Sequence, residues 1–65
     1  MTPTLLSTNT TDGSVTFSID GARWEYFFPI IDHIRTTLAI NKKSCCAALN
    51  YAKKWAMRER KVEYV

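Results

Sequence analysis

Lys42, Lys43, Ser44, Asn50, Lys53, Lys54 and Arg58 form the set of side chains whose types and spacing suit one kind of chemistry, contact with a polyanion. Ammonium and guanidinium groups neutralise phosphates and supply salt-dependent affinity without sequence information. A carboxamide such as that of Asn50 can pair bidentately with the N6/N7 edge of adenine. Small side chains such as Cys46 and Ala47, in the same stretch, would let a helix backbone come close to a groove. Arg60 and Lys61 extend the basic series toward the C-terminus. Tyr51 reads equally as core packing or as a flank to a nucleic-acid backbone, and Trp55 reads as core.

Other chemistries find less material. The one histidine, His33, adjoins Asp32, and neighbouring residues on a helix do not face each other. Neither Ser44 nor Cys46 has an evident base, so no enzyme activity is expected. Cys45 and Cys46 are adjacent and would diverge by about 100° on a helix, which disfavours a structural disulfide or a four-ligand metal site. No cofactor is expected. Free thiols and the absence of a leader-like N-terminus lead to the expectation of a reducing, cytoplasmic setting. No apolar run approaches the roughly 18 residues of a membrane span.

The 65-residue chain has a formal net charge of +3, and the charge is unevenly divided. Met1 to Asp32 carries Arg23 against Asp12, Asp20, Glu25 and Asp32, a net of −3. His33 to Val65 carries eight bases against Glu59 and Glu63, a net of +6. A polyanion footprint would therefore lie in the second half. A chain this short buries only about 60% of its unfolded surface, so a homodimer or a larger partner would add stability.

These residues need elements to hold them. Val15, Phe17 and Ile19 alternate with Thr16 and Ser18, and Asp20-Gly21 is a strong two-residue hairpin signal. With that loop Ile19 opposes Ala22, Phe17 opposes Trp24 and Val15 opposes Tyr26, which puts the apolar pairs on one face. Pro29 suits the first turn of a helix that carries Asp32 near its start, Ile31, Ile34 and Leu38 on one face, and runs to about Ala39. Asn41 can cap a second helix from Lys42 to about Arg60, with Cys45, Ala48, Leu49, Ala52 and Trp55 as its buried stripe. Val62 to Val65 is strand-like and can join the hairpin as a third strand. Residues 1–11, rich in Thr, Ser and Asn, are expected as a mobile N-terminal tail before a single small domain at 12–65.

The run Leu38-Ala39-Ile40-Asn41-Lys42-Lys43-Ser44-Cys45-Cys46-Ala47-Ala48-Leu49 resembles the corner and second helix of helix-turn-helix DNA-binding domains. Leu38, Ala39, Ile40, Asn41 and Cys45 match that family's pattern in order, although Ala39 stands where Gly is usual and Arg35 where a small residue is usual. The ending Lys61-Val62-Glu63-Tyr64-Val65 resembles the first wing strand of winged-helix members. The resemblance implies an α+β fold of N-terminal hairpin, two helices in a helix-turn-helix-like arrangement and a short C-terminal strand. It also implies a DNA-binding transcriptional regulator, dimeric on double-stranded DNA, with the second helix as recognition helix. The competing expectation is a small inhibitor or adaptor that binds a larger cytosolic protein through its hairpin edge or through the aromatic surface at Phe27-Phe28.

Overall fold

The computed structural model describes residues 2–62. It is an α+β arrangement of β1 (Thr4–Asn9), β2 (Ser14–Ile19), β3 (Ala22–Phe27), α1 (Ile31–Asn41), α2 (Cys45–Trp55) and β4 (Arg58–Val62). The strands form one antiparallel sheet in the order β1-β2-β3-β4. Both helices lie between β3 and β4 in sequence and lay their apolar side against the sheet face that carries Val15, Phe17 and Tyr26.

The β2–β3 hairpin has the expected register, with Val15, Phe17 and Ile19 opposite Tyr26, Trp24 and Ala22. Asp20 and Gly21 take φ of 52° and 80°, the two positive values that a primed turn requires. Val15, Phe17 and Tyr26 are almost wholly buried, and the Phe17 and Tyr26 rings meet edge to face at 5.8 Å.

Three strands rather than two precede the helices. Residues 4–9, expected within the tail, pair with β2 as an edge strand. Its register shifts between Leu5 and Ser7, the mark of a bulge, and Leu5 packs against the core while Leu6 is exposed. The loop that returns to β2 is tied by Asn9, whose side chain accepts from the Thr11 amide, and by Asp12, whose carboxylate accepts from the Ser14 amide. Gly13, at φ 77°, lies close to Phe28 and its carbonyl accepts from the Phe28 amide at 2.7 Å.

The corner between the helices falls later than the sequence suggests. α1 continues through Ile40 to Asn41, and the amides of Lys43 and Ser44 both donate to the Ile40 carbonyl at 2.8 Å to close it. Ser44 rather than Asn41 caps α2, its Oγ accepting from the Ala47 amide. Asn41 instead accepts from the Cys45 thiol. Within α1 the buried side is Ile34 and Thr37, whereas Ile31 and Leu38 are exposed. Thr37 is tolerated at 0% exposure because its hydroxyl donates to the His33 carbonyl. In α2 the buried residues are Ala48, Leu49 and Ala52, with Cys45 half-buried and Trp55 47% exposed.

α2 ends at Trp55 instead of running to Arg60. Ala56 turns extended, the Met57 amide donates to the Phe27 carbonyl, and Arg58 starts β4 beside β3. The third strand of the expected sheet is thus Arg58–Val62, and the residues at 63–65 lie outside the described part. Among the described residues no helix is long and apolar enough to cross a membrane.

Candidate nucleic-acid interface

From Lys42 to Arg58 the chain holds five bases and no acid. Lys42 and Lys43 are exposed in the corner between the helices, not on the first turn of α2. Ser44 follows them, and its hydroxyl oxygen is already engaged with the α2 backbone. Cys46, Ala47, Asn50, Lys53 and Lys54 are exposed along the outer side of α2. Their three- and four-residue spacing gathers them on one strip, with small side chains at its leading end and lysines in its last turn. Those lysines also suit the negative end of the helix dipole.

Arg58 does not belong to this strip. It pairs across the sheet with Phe27 and its guanidinium lies 4.4 Å from the centre of the Phe27 ring, on the face the helices leave open. Arg60 shares that face and donates from Nε to the Glu25 carboxylate at 3.1 Å. Lys61, one position on, points to the helix side. The basic series at 58–61 is therefore split by the pleat, while Lys53 and Lys54 share the outer strip of α2 and Lys42 and Lys43 stand in the corner before it.

Tyr51 faces inward. Its hydroxyl lies 2.9 Å from His33 Nδ1, and the pair sits among Phe28, stacked parallel on His33 at 5.6 Å, and Trp55. His33 is half-buried in this aromatic group. Nothing local in the sequence joins two residues 18 positions apart. The expected hairpin edge is taken: β1 covers one side and β4 the other. Phe28 is 5% exposed and Phe27 lies beneath Arg58, so the aromatic pair is not an open anchor. The exposed apolar side chains around the helix ends are Ile30, Ile31, Trp55 and Met57.

A second concave feature lies on the helix side of the sheet, near the β2–β3 turn. It is a cleft of about 390 Å³ with Ile19, Ala22, Trp24 and Tyr26 as its apolar surface and Asp20, Lys53, Glu59 and Lys61 as its polar groups. Burial first, then the Glu59 charge and its hydrogen bond, push the Tyr26 hydroxyl up to about 12, so it remains a donor to Glu59. Alternation along β3 and β4 was the available sequence signal for this cleft, but it needed the β4 register. Among the described residues no three His, Cys, Asp or Glu side chains gather in a way that could hold a metal ion. No family model, curated protein or solved structure matches the chain.

Proposed function

We propose that this chain is a small DNA-binding regulator that binds rather than transforms its target, using the outer strip of α2 and the lysines of the preceding corner. The observation that carries this reading is the acid-free run from Lys42 to Lys54, exposed on one side with Cys46 and Ala47 at the leading turn. Lys42, Lys43, Lys53 and Lys54 would take phosphates, and Asn50 would read a base edge. A homodimer on two half-sites and a cytoplasmic setting with both thiols free are part of the same reading. The test is a titration of duplex DNA across salt concentrations. The paired Lys53→Ala and Lys54→Ala changes should lower the log–log salt slope by about 2, roughly one per phosphate contact. Absence of salt-dependent binding to any duplex would remove the reading.

A protein-docking role has its own support in the exposure of Ile30 (56%), Ile31 (46%), Trp55 (47%) and Met57 (75%). In that case Met57→Glu would abolish capture of a stoichiometric protein partner while the lysine changes would not.

A further inference from the structure

The cleft near the β2–β3 turn joins two chemistries that one class of ligand needs at once. Trp24 is a half-buried aromatic residue, and Lys53 from α2 and Lys61 from β4 line the same cavity. Its volume, about 390 Å³, lies within the range of small-ligand pockets. Asp20 and Glu59 bring the formal charge of the lining to zero, so position rather than net charge decides where an anion sits. Glu59 accepts from the Tyr26 hydroxyl, and Asp20 sits in the hairpin turn, where it can accept from N–H groups on a ligand's edge. A planar ring with N–H groups and an attached anion fits all of these.

We infer that this cleft is a nucleotide subsite: a nucleobase stacks on Trp24, its N–H edge meets Asp20, and its phosphate lies against Lys53 and Lys61. The inference deepens the DNA-binding reading and rests on it, because Lys53 is common to the α2 strip and the cleft. The ligand chemistry has two sources, an unpaired nucleotide in a bound strand or a free mononucleotide that competes with the strand for Lys53. Base–aromatic stacking tolerates any base, and a strand reaches such a subsite only where a base is unpaired.

The experiment uses the full chain carrying Trp55→Phe, which leaves Trp24 as the sole tryptophan. Its fluorescence is followed during titration with GMP, with a single-stranded 12-mer and with a blunt duplex of the same sequence. Quenching by GMP identifies a free nucleotide as ligand; quenching by the single strand without GMP identifies an unpaired base in a bound strand. In either case Lys61→Ala should weaken the quenching ligand several-fold, and for the single strand it should lower the salt slope by about 0.7. Unchanged Trp24 emission with GMP and with the single strand, while the duplex still binds, overturns the subsite and leaves the α2 reading standing. Lack of binding by every probe overturns both. Quenching that is insensitive to Lys61→Ala overturns the placement of the phosphate.

Discussion

Gly13 and Gly21 have nearly the same backbone conformation, φ of +77° and +80°, and very different surroundings. A Cβ built on Gly21 meets nothing within 4 Å, whereas one on Gly13 would lie 2.6 Å from the Phe28 carbonyl oxygen. That oxygen is backbone, and the Phe28 amide donates to Gly13 at 2.7 Å, so Phe28 cannot retreat without losing the bond that ties the β1–β2 loop to the end of β3. Gly21→Ala should cost only the left-handed penalty, about 1–2 kcal/mol. Gly13→Ala adds an overpacking cost of about 1–3 kcal/mol, for roughly 2–5 kcal/mol in all. A domain of this length has on the order of 3–10 kcal/mol to lose, and each kcal/mol moves Tm by about 4–8 °C. Thermal melts followed by far-UV circular dichroism should therefore show Gly21→Ala melting roughly 4–16 °C below the parent, and Gly13→Ala far lower or without a cooperative transition. Equal losses for the two variants, within about 3 °C, would refute the argument from close approach.

Ser44→Ala should lower stability by about 1 kcal/mol through loss of the α2 cap, while Asn41→Ala should stay within about 0.5 kcal/mol of the parent; denaturant titration of both decides which residue is the cap. Because the Tyr26 hydroxyl ionises at about 12 in the folded chain and near 10 when unfolded, the unfolded state sheds that proton first and stability should fall as pH rises from about 10 to 12. Tyr26→Phe should flatten that decline in melts taken across the same window. Glu25→Ala, which releases Arg60 at the sheet surface, should cost at most about 1 kcal/mol and the difference should shrink as salt is raised.

The hairpin could be read in the sequence residue by residue because period-two alternation and Asp20-Gly21 impose the same register. β1 could not, since its half-buried residues, Leu5 and Thr8, are three positions apart and its pairing depends on a bulge rather than on alternation. Asn41 and Ser44 are both good caps, and only the closure of α1 on the Ile40 carbonyl chooses between them. The start of β4 carries no Gly or Pro, so nothing in the sequence separates it from α2, and only the ladder with β3 marks it as a strand. That ladder alone separates Arg58 from Lys53 and brings Lys61 beside Trp24. The candidate strip on α2 was legible in composition, while its limits and the cleft depended on long-range pairing.

β3 and β4 are neighbours in the sheet although both helices intervene in the chain. Zipping them together closes a loop of about 30 residues, an entropic cost on the order of 3 kcal/mol that no short-range turn offsets. The three-stranded meander can assemble from adjacent segments, so contact order favours a C-terminal strand that joins after the helical layer has docked. Lys53 and Lys61 stand on the two sides of that late seam. Any molecule gripped by both would latch the final strand in place, and amide hydrogen exchange along Arg58–Val62 would slow in proportion to its occupancy.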